Sequence, residues 1–84
     1  MASLKLEIVT SEETVFSGDV DYVSAKSVDG QIGILPNHIS LISELDYGNL
    51  LWRNGNKEED IFIQGGFIEI IDNKVTILVD GSVK

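Results

Sequence analysis

The stretch GQIGILPNHISL, residues 30–41, breaks an otherwise regular β pattern. The fold and the function are both inferred from this stretch and from the segments beside it. It contains the only proline, Pro36, the only histidine, His38, and two of the eight glycines. Proline cannot donate a backbone hydrogen bond to a sheet ladder, so the short apolar strand Ile32 to Leu35 has to end at Pro36. We therefore look for function at this break, and for the fold in the segments around it.

The segments on both sides of the break have the period of β-strands. Leu4, Leu6 and Ile8 alternate with Lys5 and Glu7, which is typical of a strand with one buried face. Turn signals follow at nearly regular spacing: Ser17-Gly18-Asp19, Asp29-Gly30, Asp46-Tyr47-Gly48-Asn49, Asn54-Gly55-Asn56, Gly65-Gly66 and Asp72-Asn73. The pattern predicts an all-β sandwich or barrel, with neighbouring strands antiparallel because the links are too short for crossover helices.

Length and charge limit the function classes. A chain of 84 residues forms a single domain, here residues 1–84. It has no cysteine and a net charge of −8, and such a field repels nucleic acid and anionic membrane surfaces. No apolar run approaches the roughly 20 residues that span a bilayer, so we expect no direct membrane insertion. The first residues enter strand alternation at once, so we expect no signal peptide.

No constellation of residues indicates catalysis, a metal or a cofactor. With one histidine and no cysteine, only carboxylates remain as ligands, and the runs Glu12-Glu13 and Glu58-Glu59-Asp60 point alternately to opposite faces of a strand. A nucleophile needs an adjacent base, and His38 has no recognisable nucleophile motif near it. Two alternatives to an interaction module stay open: a small ligand-binding β-barrel, and an enzyme centred on His38.

Several motifs in order carry a resemblance to a known family. The motifs are GQIGILPNHISL itself, Phe16-Ser17-Gly18 before it, and Gln64-Gly65-Gly66-Phe67-Ile68-Glu69 and Asn73-Lys74-Val75-Thr76-Ile77-Leu78 after it. Together they resemble the N-terminal domain of the epsilon subunit of F-type ATP synthases, over about Leu4 to Asp80. The resemblance implies a flattened antiparallel β-sandwich of about eight to ten short strands.

The resemblance also implies a role. Such a subunit is a non-catalytic part of the rotary central stalk, needs no cofactor, and helps couple proton or sodium-ion flow to ATP synthesis. It is a monomer within a hetero-oligomeric complex and binds the gamma subunit and the c-ring. It lies peripherally on the cytoplasmic face of a bacterial inner membrane, or on the stromal side of a chloroplast thylakoid, as part of the F1 sector.

Two contact sites follow from the same resemblance. Asp29, Gly30 and Gln31 match the loop that meets the c-ring. The region implied to face the gamma subunit contains Ile34, Leu35, Pro36, His38, Leu41 and Ser43.

The sequence departs from the family pattern at several positions. Asn37 stands where the family usually has glycine, and we expect it to keep the turn because asparagine tolerates a positive φ. Gln31 stands where many members have an acidic residue, which Asp29 can partly replace. The pattern contains no helix after Asp80, so we do not expect the inhibition or nucleotide binding that the family's two C-terminal helices provide.

Overall fold

The computed structural model of the chain describes residues 3–38 and 40–80, and this part of the chain forms nine strands and no helix. The strands are β1 (Leu4–Val9), β2 (Thr14–Val20), β3 (Tyr22–Ser27), β4 (Gly30–Ile34), β5 (Leu41–Leu45), β6 (Gly48–Asn54), β7 (Lys57–Ile63), β8 (Gly66–Ile71) and β9 (Lys74–Val79). The prediction of an all-β fold is confirmed. Within these described residues no helix is long and apolar enough to cross a membrane.

The strands form one curled sheet in the order β2-β1-β9-β8-β5-β3-β6-β7, with β4 paired to β3. The prediction that neighbouring strands pair antiparallel is confirmed for β1–β2, β3–β4, β6–β7 and β8–β9. It is wrong for β2–β3, β5–β6 and β7–β8, whose links of one or two residues carry the chain to a strand that pairs elsewhere. Positive-φ residues make two of the hairpin turns possible. The β8–β9 turn has Asp72 at φ 50° and Asn73 at φ 63°, while Gly55 in the β6–β7 turn has φ 61°. Both turns are hairpin turns that the local sequence specifies.

One pairing is parallel and joins the first strand to the last. β1 lies beside β9 with Leu6 opposite Val75 and Ile8 opposite Ile77. The two strands are far apart in the sequence, so no short link constrains their direction. This pairing places β1 and its hairpin partner β2 in one layer with β9, β8 and β5, while β3, β4, β6 and β7 form the other layer.

The core lies between the two layers and is entirely aliphatic and aromatic in its large side chains. Alternate residues point into it, as in β1, where Leu4, Leu6 and Ile8 are fully buried. Burying each such side chain stabilises the fold by about 1.5–3 kcal/mol. Where the curled sheet closes, the Phe16 ring of β2 packs on the Trp52 ring of β6, with centroids 4.9 Å apart.

The local sequence around glycine predicted the chain direction correctly at Gly65-Gly66 but not at Gly18. The turn expected at Ser17-Gly18-Asp19 was wrong, because β2 continues to Val20 and Gly18 pairs with Leu6. The ring of Phe16 covers Gly18, so the glycine fits within the strand instead of ending it. Gly65 and Gly66 form the expected sheet corner between β7 and β8, with φ values of 142° and 151°.

Candidate partner-binding surface

The turns of the sandwich gather at two opposite ends. At one end, which we call the Asp29 end, lie the Val28–Asp29 turn, the Asp46–Tyr47 turn, Gly65 and Asp80. Two backbone hydrogen bonds tie these turns together: Val28 N–H donates to Glu44 O at 3.1 Å, and Asp80 N–H donates to Gly65 O at 3.0 Å. The other end, the Asn73 end, holds the β4–β5 loop and the β8–β9 turn, which are joined through Asn37 and Asn73.

The predicted c-ring residues lie together at the Asp29 end. Asp29, Gly30 and Gln31 are all exposed, in the turn that joins β3 to β4. The buried hydroxyl of Ser27 holds this turn from the inside, because Ser27 Oγ accepts from Asp29 N–H at 3.1 Å and donates to Gly30 O at 2.8 Å. Gln31 Nε2 donates to Ser24 Oγ at 2.7 Å. The turn is therefore an exposed element with a fixed backbone.

The Asp29 end is strongly acidic. Asp29, Asp46 and Asp80 all belong to its turns, and Asp46 Oδ1 accepts the backbone N–H of Tyr47 at 2.9 Å. The side chain of Tyr47 itself is 61% exposed, and Lys26 Nζ lies 5.2 Å from its ring centroid. This end thus presents carboxylates and one aromatic ring, a combination that suits a polar, basic partner surface.

The six residues predicted to face the gamma subunit divide into two groups. Leu35 is 60% exposed, and Pro36 and His38 are half-buried in the β4–β5 loop. The other three residues lie in strands, Ile34 at the end of β4 and Leu41 and Ser43 in β5.

Ile34 is fully buried, so the prediction that it contacts a partner was wrong for its side chain. Leu41 and Ser43 lie opposite the fully buried Ile70 and Ile68, on the half-buried inner side of β5. The side chains of β5 that point outward are Ile42 and Glu44.

The backbone expectation for Asn37 is confirmed, since this residue has a φ of 68°. Asparagine adopts a left-handed backbone more readily than most residues other than glycine. The chain can therefore turn directly after Pro36 and return as β5.

A surface that the sequence analysis missed lies on the outer face of β5, β8 and β9. We call it the outer apolar patch, and its members are Ile42 (70% exposed), Phe67 (51%), Leu78 (47%) and Ile71 (46%). Phe67 and Leu78 are directly opposite each other across β8 and β9. Ile42 is one step from Phe67 on the diagonal, because Ile42 pairs with Glu69 and Phe67 with Glu44.

A sequence signal for this patch exists in β8. Ile68 and Ile70 are buried in the core, while Phe67 and Ile71 alternate with them and stay exposed. A strand that is apolar on both faces needs cover on both faces, and the sandwich covers only one. Glu69 and Thr76 lie between Ile71 and the Phe67–Leu78 pair, so polar side chains interrupt the patch. Clustered exposed apolar side chains mark interaction sites in soluble proteins.

A concavity of about 410 Å³ adjoins the patch on the same outer face, lined by Glu69, Ile71, Asp72, Lys74 and Thr76. Four of its five lining residues are charged or polar, and it opens on the surface of the β8–β9 hairpin. A ligand-binding β-barrel would instead hold its ligand in an apolar interior, where this chain packs its core side chains. The geometry favours an interaction module over that alternative.

Comparison with known proteins identifies the family. The family model for the ATP synthase delta/epsilon chain, beta-sandwich domain, matches residues 3–84. The chain belongs to this delta/epsilon β-sandwich family. Membership agrees with the motifs around residues 30–41 and with the observed fold. The family description names the delta and epsilon chains of ATP synthase as the proteins that carry this domain.

Two relatives of the delta/epsilon family are about half identical to this chain. The ATP synthase epsilon chain of Nitratidesulfovibrio vulgaris strain Miyazaki F is 50% identical over 80 residues, covering 95% of this chain and 60% of the relative. That of Maridesulfovibrio salexigens is 51% identical over 81 residues, covering 95% and 57%. The chain thus spans somewhat more than half the length of these relatives. The epsilon chain is a structural subunit of the complex and is not itself catalytic.

Solved structures share the fold of this delta/epsilon domain. A chain in the cryo-EM structure of the Euglena gracilis mitochondrial ATP synthase (OSCP/F1/c-ring) superposes with a TM-score of 0.90 at 24% identity, covering 96% of this chain and 52% of that chain. A chain from the central stalk/c-ring of the Tetrahymena thermophila mitochondrial ATP synthase gives 0.78 at 20% identity, covering 90% and 62%. At these identities the likeness concerns the fold alone.

Proposed function

We propose that this domain is a non-catalytic rotor element of an F-type ATP synthase, which docks to the gamma subunit and to the c-ring and helps couple ion flow to ATP synthesis. The observation that carries the proposal is the outer apolar patch beside the exposed β4–β5 loop. Membership of the family supports the assignment to an ATP synthase, and the patch is a surface that a folded partner can cover.

The gamma-facing surface consists of the outer apolar patch and the loop residues Leu35, Pro36 and His38. The patch members are each about half exposed or more. Covering the exposed half of such a side chain contributes about 1 kcal/mol, so the patch supplies a useful part of a binding free energy. Glu44 and Glu69 lie among the apolar residues and orient the partner through their charge.

The c-ring surface is the Asp29 end, with Asp29, Gly30 and Gln31 at its tip. Its exposed side chains are polar, and the Ser27 hydroxyl fixes its backbone before any partner arrives. A preorganised turn loses little conformational entropy on docking to polar loops. The Asp29 turn and the outer apolar patch consist of different residues, although Phe67 and Leu78 lie near the Asp29 end. We expect that both partners can be bound at once.

The proposed location is peripheral, on the cytoplasmic face of a bacterial inner membrane or the stromal side of a thylakoid. The acidic Asp29 end is repelled by anionic lipid headgroups, so contact with the c-ring, not with lipid, keeps the domain at the membrane.

Calorimetric titration of the chain with purified gamma subunit tests the proposal. We expect saturable one-to-one binding, and a loss of affinity of about tenfold or more in Phe67→Ser, because this change removes an aromatic side chain from the centre of the patch. The matched control is Phe62→Ser, since Phe62 is 54% exposed but lies on β7 in the other layer. Absence of binding by the folded wild-type chain, or equal effects of both variants, would contradict the proposal.

A further inference from the structure

The side chain of Asn73 joins two elements that the sequence separates by 36 positions. Its Oδ1 atom accepts the backbone N–H of Asn37 at 2.6 Å, and its Nδ2 donates to Asn37 Oδ1 at 3.3 Å. Its backbone carbonyl accepts the N–H of Lys5 at 2.8 Å. One residue in the β8–β9 turn therefore contacts both the β4–β5 loop and the first strand.

The position of this contact connects two parts of the candidate surface. Asn37 lies between Pro36 and His38 in the loop, and Asn73 lies two residues after Ile71 of the outer apolar patch. The loop makes no strand pairing between Leu35 and Ser40 in the described part of the chain. The short bond between Asn37 and Asn73 is thus one restraint on where the loop sits relative to the patch.

We propose that Asn73 is a positioning residue, which holds the β4–β5 loop at a fixed distance from the outer apolar patch so that one partner can contact both. The inference rests on the proposed function, because the partner is the gamma subunit. It deepens that function by assigning part of the affinity to a residue outside the contact surface.

The physical basis is preorganisation. When the loop is unrestrained, only a fraction of the molecules has it in the binding-competent position, and the apparent dissociation constant rises by the inverse of that fraction. A hydrogen bond at an exposed site shifts such an equilibrium by a factor of about three to ten. We expect an affinity change of that size, separate from any change in the core.

The backbone angles make a clean variant possible. Asn73 has a φ of 63° and Asn37 a φ of 68°, a region that glycine adopts without strain. Asn73→Gly removes both amide contacts and keeps the turn and the carbonyl that accepts from Lys5. Asn37→Gly keeps its backbone N–H and so loses only the longer contact. Asn73→Asp keeps an oxygen acceptor for the Asn37 N–H.

The experiment measures gamma-subunit affinity, thermal unfolding and amide hydrogen exchange at Asn37 for the four chains. For Asn73→Gly we expect affinity to fall about three- to tenfold and exchange at Asn37 to accelerate, with the unfolding midpoint nearly unchanged. Asn73→Asp and Asn37→Gly should remain near wild type in affinity, as the rescue and the matched control.

Three results would overturn the inference, and the third would overturn the proposed function as well. If wild type binds and Asn73→Gly binds equally well, Asn73 does not position the loop, although the proposed function stands. If affinity falls only in proportion to a lowered unfolding midpoint in all three variants, the residue is merely structural. If folded wild type does not bind, the proposed function and this inference fall together.

Discussion

At position 66 the fold requires a glycine, because there is no space for a side chain. A Cβ atom added there would collide with the carbonyl oxygen of Leu78, and its φ of 151° is unfavourable for other residues. We expect Gly66→Ala to lower the free energy of unfolding by about 3 kcal/mol or more. Denaturant unfolding measures this, with Gly55→Ala as the control. Gly55 has a φ of 61° but open space around it, so its replacement should cost about 1 kcal/mol. Equal costs would contradict the account.

Ser27 provides a second test at the residue scale. Its hydroxyl is 3% exposed and serves both Asp29 N–H and Gly30 O. Ser27→Ala should reduce stability by about 1–2 kcal/mol, because it removes the hydroxyl from two part-buried hydrogen bonds that hold the turn. Exposed Ser17 on β2 is the control, and Ser17→Ala should change stability by less than about 0.5 kcal/mol. The midpoint of thermal unfolding measures both variants, and an unchanged midpoint in Ser27→Ala would show that the hydroxyl does not support the turn.

At this scale, prediction from sequence succeeded where the cause is local. The pairs Asp72-Asn73 and Asn54-Gly55 predict hairpin turns, because these residue types tolerate a positive φ. The prediction of a turn at Gly18 was wrong. Gly18 lies within β2, where the ring of Phe16 covers it, and the turn-forming residues beside it do not reveal this contact. The steric reason for Gly66 could not be predicted either, since Leu78 approaches it only across β8 and β9.

For strand β5, the sequence alone does not decide which of its two faces points to the core. Leu41 and Ile42 are both apolar, so alternation alone does not decide which of them faces the core. The resemblance assigned Leu41 and Ser43 to a partner, whereas pairing with β8 turns them inward and leaves Ile42 outside. The direction of a strand's faces depends on register with its neighbours, and a single residue of shift exchanges them.

Paired variants of β5 test this assignment of faces. Leu41 packs against the core, so Leu41→Ser should lower the free energy of unfolding by about 2 kcal/mol. Ile42 is 70% exposed, so Ile42→Ser should leave stability within about 0.5 kcal/mol while weakening gamma binding. Urea unfolding and titration with gamma subunit give the two readouts. The reverse order of stabilities would mean that the two faces of β5 are exchanged.

For the whole molecule, the sequence predicts the fold class but not the order in which the strands pair. Short links and alternation indicate an antiparallel sandwich, but the parallel pairing of β1 with β9 joins the two ends of the chain, and no local signal specifies it. That pairing completes the layer whose outer face is the outer apolar patch. It also separates the two candidate contact sites, since the Asp29 turn and the β4–β5 loop lie at opposite ends of the sandwich.

The charge distribution of the molecule predicts different salt dependences for the two contacts. The Asp29 end carries Asp29, Asp46 and Asp80, whereas the outer face carries the apolar patch. Binding to purified c-ring should weaken severalfold between about 50 and 300 mM salt, because exposed charges are screened over about 8–10 Å. Gamma binding should weaken less over this range, because salt screens the contribution of Glu44 and Glu69 and not that of the apolar contacts. Asp29→Asn should weaken c-ring binding about two- to fivefold at low salt. Identical salt dependence of both contacts would contradict this division.

The most direct test of the outer apolar patch uses the absence of cysteine from the chain, so that one introduced thiol is the only one. Maleimide labelling rates of Ile42→Cys and Phe62→Cys are measured with and without saturating gamma subunit. Both positions are exposed in the free chain. We predict that gamma slows labelling at position 42 about tenfold or more and leaves position 62 unchanged, since only the first lies in the covered face. Protection at position 62 with free labelling at position 42, in a chain that binds gamma, would contradict the account.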